Sequence, residues 1–435
     1  MQIERNKYLN RLIVRKGNGF IKIITGIRRC GKSYLLNTLF YNHLLAQGTD
    51  SSRIIRFAFD AADDLLAIGE NADTILKILA GKAKADPRKF LDYVSCRITD
   101  SSTYYLLLDE IQNLDGFEFV LNGFLRKGNI DVYVTGSNSK FLSSDVVTEF
   151  AGRGDEVRVA PLSFAEYWSV QEGKESKEEA FDEYMIYGGL PAICSMQTEE
   201  QKSKYLAMQM SNVYLRDVVE RNNLNSDTTI SELVDVLASG ISCLTNPRKL
   251  ADTFKCLKNS SIAPTTIDRY ISHLEDAFII SKAKRYDVKG RRYIGTPYKL
   301  YFEDVGLRNA RLNFRQIEAS HIMENVIYNE LRIRGYSVDV GVVEKRENQA
   351  GAPERTYHEI DFIANMGSKR YYVQSAYAIP DEEKRKQETA SFDMVNDSFK
   401  KIILVEKTMK PQRDEKGYVT MGVKEFLLNE NSLDS

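Results

Sequence analysis

The stretch Gly26-Ile27-Arg28-Arg29-Cys30-Gly31-Lys32-Ser33 places two glycines, a lysine and a hydroxyl at the spacing that wraps backbone N–H groups around a phosphate. Glycines at 26 and 31 let the chain curl so that its N–H groups point inward. A helix starting near Lys32 would aim its positive end at the same anion. Lys32 would reach the β- and γ-phosphates of ATP, and the Ser33 hydroxyl would hold Mg²⁺. Residues 26–33, with Tyr34 after them, are the expected nucleotide-binding set. Two carboxylates follow later, where the apolar run Tyr104-Tyr105-Leu106-Leu107-Leu108 ends in Asp109-Glu110. Asp109 suits Mg²⁺ coordination through water, and Glu110 suits orienting or polarising an attacking water. Asp131-Val132-Tyr133-Val134-Thr135 ends in Gly136-Ser137-Asn138-Ser139, and Asn138, with Ser137 beside it, is expected to sense the γ-phosphate. Arg153 offers a planar cation for charge on the transferring phosphoryl group, or equally a salt-bridged loop arginine.

These groups work together only if strands deliver them to one edge. Phe20 to Thr25 reads as a buried strand before the glycine-rich loop, and Tyr34 to Phe40 has helical character after it. Arg53 to Phe59 is a second strand, ending at Asp60. Residues 63–98 read as helices, Gly116 to Arg126 as another, and Glu156 to Ala160 as a last strand-bearing segment closed by Pro161. That alternation is the pattern of a parallel α/β sheet whose carboxyl edge carries the chemistry.

With GIRRCGKS, LLLDEIQ, TGSNS, AGRGDEVRVAPLSFAEY and YGGLP in this order, the chain resembles prokaryotic ATPases of the AAA-type, P-loop superfamily. Within it, the similarity is to the group that carries a C-terminal domain of unknown function, domain 4143. The resemblance implies a parallel five-stranded sheet flanked by helices, with ATP and Mg²⁺ at the sheet edge. It also implies a helical lid and a site completed by an arginine matching Arg153, in its own subunit or a neighbour's.

Beyond residue 161 the sequence turns helical. Ser163 and Glu166 have capping-box spacing, and Gly188-Gly189-Leu190-Pro191 interrupts the helices. Residues 162–228 are read as a helical lid that moves with hydrolysis. Residues 229–296 give three short helices and a basic hairpin, the layout of a winged helix-turn-helix. Ile267, Ile271 and Leu274 would face its core, leaving Thr265, Thr266 and Arg269 for a groove. Ser281 to Arg292 holds six basic residues against Asp287, so residues 264–292 are the expected DNA-contacting segment. Residues 297–435 resemble restriction-endonuclease-like α+β domains, with Asp361 as one metal-binding acid and Glu330 as the helix acid. Gln374 and Ala376 stand where that family places a carboxylate and a lysine, so cleavage chemistry is not expected. Residues 345–355 read as an exposed loop.

Composition bounds the rest. Sixty basic and sixty-one acidic residues leave a net charge of −1, so any nucleic-acid surface must be local. No run approaches the roughly 20 apolar residues of a membrane span, and the N-terminus lacks the apolar segment of a signal peptide. Five scattered cysteines suit reduced thiols rather than a disulfide framework. The expectation is a cytoplasmic ATPase with four regions, 1–161, 162–228, 229–296 and 297–435, that couples MgATP hydrolysis to a partner. DNA, a protein or a second copy of the chain could fill that role. A nucleotide-gated DNA-binding module and an ATP-stabilised scaffold are the alternatives.

Overall fold

A computed structural model describes residues 3–136, 152–222, 224, 227–258, 262–315, 317–349 and 352–434. The chain forms two compact units: residues 1–160 with 276–278, and residues 161–275 with 279–435.

The first unit is built on five strands: β1 (Ile21–Thr25), β2 (Ile54–Ala58), β3 (Tyr104–Asp109), β4 (Ile130–Thr135) and β5 (Gly154–Arg158). They lie in the order β2-β3-β4-β1-β5, with every neighbouring pair parallel. β1, β3 and β4 are buried along their whole length, which is why they read as near-continuous apolar runs. One face packs Phe57 and Phe59 against Phe90 and Phe124. The helices of this unit are α1 (Asn6–Ile13), α2 (Lys32–Tyr34), α3 (Tyr41–Ala46), α4 (Ala62–Ala67), α5 (Ala72–Leu79), α6 (Pro87–Ser95) and α7 (Phe117–Lys127). A π-helical turn, Leu35–Phe40, joins α2 to α3.

The second unit carries eight strands: β6 (Ile280–Asp287), β7 (Arg292–Phe302), β8 (Ser337–Gln349), β9 (Ala352–Met366), β10 (Lys369–Ala376), β11 (Lys400–Val405), β12 (Gln412–Arg413) and β13 (Val419–Gly422). Their order is β12-β13-β11-β10-β9-β8-β6-β7. The capping box at Ser163 forms, Glu166 N–H donating to Ser163 Oγ (3.2 Å) and Ser163 N–H to Glu166 Oε2 (2.9 Å).

Several expectations for this half are corrected. Three helices, Asp227–Ser239, Pro247–Lys258 and Pro264–Asp276, do precede the basic hairpin, and Ile267, Ile271 and Leu274 are buried. The hairpin is not a free wing, however, because β6 also pairs in parallel with β8. β7 runs straight through the boundary expected at 296/297. The stretch 345–355 is largely ladder rather than loop, β8 and β9 pairing out to Gln349 and Ala352. The expected lid, winged helix and C-terminal domain are also pinned together through the helix Val305–Arg311. Asn309 Nδ2 donates to Met185 O and Ile186 O (2.9 Å each), and Arg308 Nε donates to Ala238 O (2.8 Å). Arg311 pairs with Asp235 at 2.5 Å. A Cβ on Gly306 would lie 2.0 Å from Tyr187 O, so the backbones meet there with no room for a side chain. Among the described residues no helix is long and apolar enough to cross a membrane.

Candidate nucleotide site

The glycine-rich loop leaves the carboxyl end of β1 and turns at Gly26, whose φ is +139° and whose Cβ, if present, would lie 2.0 Å from Val159 O. Only glycine fits there. Gly31 turns the chain again at φ +100° into α2. Arg5, ahead of α1, clamps the loop from outside: Nη1 donates to Cys30 O (2.9 Å) and Nη2 to Ala160 O (2.8 Å). Cys30 Sγ donates to Val159 O (3.3 Å), fixing the same turn.

Lys32 is 5% exposed, and its ammonium donates to Gly26 O (2.9 Å) and Ile27 O (3.0 Å). Both partners are neutral, and no carboxylate lies within ion-pair distance among the described residues. A buried cation so placed is short of an anion.

Asp109 ends β3 and is 5% exposed. Burial pushes its carboxyl above the usual range and the Glu110 charge adds to that, while hydrogen bonds from Thr135 and Ser33 and the Lys32 charge pull the other way. Asn37 Nδ2 donates to Asp109 Oδ2 at 3.3 Å. Glu110 takes a left-handed backbone (φ +49°), its N–H donating to Thr135 Oγ1 at 3.0 Å. Its carboxylate accepts from Gln112 Nε2.

Thr135 is the residue that sequence reasoning passed over. It ends β4, the strand between β1 and β3, and its hydroxyl donates to Asp109 Oδ1 while accepting from Glu110 N–H. One side chain thereby sets both acids. Asp60, two residues past β2, adds a third carboxylate. Burial, then Asp109 and Glu110, push it above its usual range against the opposing charge of Arg28. Its signal was available, since it closes the apolar run Ile54 to Phe59. Arg5 had none, its contacts spanning up to 155 residues.

Lys32, Ser33, Asp109 and Glu110 thus converge at the carboxyl edge. Arg153 does not join them. It is exposed and precedes β5, its carbonyl accepting from Ile21 N–H at the amino end of β1 (2.8 Å). A five-residue strand of roughly 16 Å separates it from its own loop. Ser137 and Asn138 lie outside the described residues. A divalent cation fits this edge: Asp109 supplies a buried carboxylate hydrogen-bonded to the Ser33 hydroxyl. Among the described residues no three His, Cys, Asp or Glu side chains gather as a metal cage. Two protein oxygens, from Asp109 and Ser33, suit Mg²⁺, which keeps waters and phosphate oxygens as its other ligands.

A second charged cluster lies within the other unit, and here a metal does not fit. Lys299 reaches Glu359 (2.7 Å), Glu324 (2.9 Å) and Asp361 (3.3 Å). Its ammonium fills the space between the carboxylates. The helix acid that joins Asp361 is Glu324, not Glu330, which is paired with Arg334 at 2.6 Å. Gln374 stands opposite Asp361 on β10, its Oε1 accepting from Asp361 N–H at 3.4 Å. It brings no charge to the cluster.

The AAA domain family matches residues 18–168, and the domain of unknown function 8612 matches residues 178–318. The domain of unknown function found is therefore 8612, in the middle of the chain, where the sequence resemblance had pointed to 4143 in its C-terminal part. An uncharacterised Haemophilus influenzae protein is 31% identical over 411 residues, spanning 93% of this chain and 94% of its own. The uncharacterised Methanocaldococcus jannaschii protein MJ1544 is 26% identical over 381 residues, spanning 84% of this chain and 77% of its own. Among solved structures, that of the Aeropyrum pernix ORC1 protein in complex with DNA covers 72% of this chain and 92% of its own. It shares 12% identity at a TM-score of 0.32, a likeness too loose to carry an argument. The match to the Haemophilus protein runs nearly end to end on both sides, and the chain belongs to that protein's family: an AAA+-type P-loop nucleotide-binding module followed by a domain of unknown function.

Proposed function

We propose that the chain binds ATP with Mg²⁺ across residues 26–34 and Asp109, and hydrolyses it to ADP and phosphate. The observation that carries this reading is Lys32, a buried ammonium held, among the described residues, by two carbonyls of its own loop. On binding it exchanges those carbonyls for phosphate oxygens. Loop N–H groups hold the remaining phosphate charge. When bound, Mg²⁺ neutralises charge on the β- and γ-oxygens. Ser33 and Asp109 are the residues to hold it. Glu110, its backbone fixed by Thr135, orients the attacking water and takes up its proton. Asn138, with Ser137 next to it, senses the γ-phosphate. Arg153 serves a neighbouring subunit's nucleotide, because its own loop is a strand's length away. The helices between residues 162 and 228 transmit hydrolysis to a partner.

The test is nucleotide titration with and without Mg²⁺, followed by phosphate release. Glu110→Gln should keep ATP affinity and lose about 100-fold or more in turnover. Full turnover in that variant, or no measurable adenine-nucleotide affinity in the parent chain, would overturn the reading.

A second reading, contact with DNA through residues 264–292, is favoured by the hairpin. Lys284, Lys289, Arg291 and Arg292 are exposed there, and Asp287 pairs with Arg292, at 3.6 Å. Binding should weaken as salt rises, and the Arg291→Ala/Arg292→Ala pair should lower the salt slope. Duplex binding untouched by the pair would remove this surface from consideration.

A further inference from the structure

β2 is an edge strand, and its backbone groups alternate in direction. Phe59 N–H donates across to Asp109 O (3.0 Å), whereas Ala58 N–H turns outward to Asp64 Oδ2 (2.7 Å). By the same alternation Ile54 and Arg56 face outward; Ile54 N–H turns back to Ser51 O, so the outward groups that meet no partner among the described residues are Ile54 C=O and the N–H and C=O of Arg56. A groove of about 630 Å³ runs along this edge, from Ser51 and Ser52 at one end to Asn37 and Asp64 at the other.

Two arginines flank the groove. Arg56 lies 4.0 Å from the centre of the Tyr41 ring, and Arg97 lies 3.5 Å from that of Tyr93. Tyr93 packs on Phe57 (5.5 Å). Because successive strand residues point to opposite faces, Arg56 and Arg97 stand on opposite faces of the sheet. Both are exposed, and neither pairs with a carboxylate among the described residues. Arg53 nearby is already paired with Asp100 at 3.3 Å. Edge strands are commonly guarded by a charge lying across the edge. Here each guanidinium is instead folded onto a ring, which leaves the backbone row open.

We propose that this groove binds an extended segment of a partner protein that adds a strand to β2 and carries acidic side chains at adjacent positions. Main-chain pairing with Ile54 C=O and with the N–H and C=O of Arg56 supplies the affinity, as in other strand-addition complexes. A strand's neighbouring side chains point to opposite faces, so two consecutive carboxylates meet Arg56 and Arg97, one on each side. Asp64 seals the last outward N–H and so sets where the added strand stops. The nucleotide takes no part in this contact.

The experiment uses the full chain and a fluorescein-labelled decamer of alternating valine and threonine with two central glutamates, followed by anisotropy at low salt. Saturable binding is expected, at least 10-fold tighter than for the same decamer with two lysines. Methylating alternate backbone nitrogens should abolish it. Arg56→Glu/Arg97→Glu should lose the glutamate decamer and gain the lysine decamer, with an unchanged melting temperature. Equal binding of both decamers by the parent chain, failure of that exchange, or no binding would overturn the proposal. Concentration-dependent self-association lost in the same variant would assign the groove to a second copy, and would overturn it too.

Discussion

Lys32 in the first unit and Lys299 in the second are buried alike, at 5% and 4% exposure, so each has lost nearly all its water. Their surroundings are opposite. Lys32 meets two backbone carbonyls. Lys299 meets three carboxylates. Burial pulls the Lys299 ammonium down, yet Glu324, Asp361 and Glu359 outweigh it and hold the group well above its ordinary range. A buried charge is tolerated when its partners are built in or arrive with a ligand. The second unit has taken the first course, and its cluster is closed. The first unit has left the anion out, which makes its lysine a receptor for one. Burial alone, or the residue type alone, would have ranked the two sites equal.

The largest effect should come from breaking the closed cluster. Lys299→Met would strand two buried carboxylates, Glu324 and Asp361, beside the partly exposed Glu359, and should cost about 3–5 kcal/mol. Chemical denaturation read by probes in the second unit would measure it, since a two-unit chain need not melt in one step. Adding Glu324→Gln should recover part of the loss, because it removes one of the stranded charges. The pair therefore should not be additive. If Lys299→Met leaves the unfolding midpoint in place, the cluster is not what holds β7, β9 and the helix Ala319–Ile333 together.

Lys32→Met should behave the other way. The loop loses a cation with no carboxylate within ion-pair distance among the described residues, so thermal stability should be unchanged or slightly raised. Affinity for ATP should fall about 100-fold, near 3 kcal/mol, the scale of charge-assisted bonds to phosphate. Calorimetric titration with ATP and Mg²⁺, alongside a thermal scan, separates the two quantities. A destabilisation matching that of Lys299→Met would make Lys32 a structural residue and erase the contrast.

How much of this could be read in advance followed the sequence distance over which each feature is determined. The loop at residues 26–33 and the acids at 109 and 110 were legible, because a local motif at the end of an apolar run carries them. The role of Thr135 needed the strand order, since it links the acids only because β4 lies between β1 and β3. Arg153 looked close to the site along the chain, but parallel pairing with β1 puts it at the far end of the sheet. In the second unit local patterns misled more. The basic hairpin had the spacing of a wing, yet a parallel partner more than 50 residues away absorbed it into a large sheet. Glu324 and Glu330 share one helix, and six residues at about 100° each turn them to different faces. Lys299 gave no signal, because the carboxylates that define it come from 25 to 62 residues further along the chain.

The smallest effect, and the one that tests the closed cluster most directly, is a slope against pH. Burial pushes Glu324 from its ordinary range up to about 7, with Asp361 adding to the rise and Lys299 opposing it. The folded carboxyl therefore holds its proton at pH values where the unfolded one has released it. Unfolding free energy from this group is fully present below about pH 4.5 and is lost as pH rises through about 7. Glu324→Gln keeps an oxygen to accept from Lys299 Nζ (2.9 Å) and Tyr301 Oη (2.7 Å) but cannot titrate. The parent chain should lose on the order of 2 kcal/mol relative to the variant across that window. Denaturant midpoints at pH 4.5, 6 and 7.5 would show the two curves separating upward in pH. Parallel curves would mean that Glu324 is already ionised throughout, and that Lys299 compensates all three acids together.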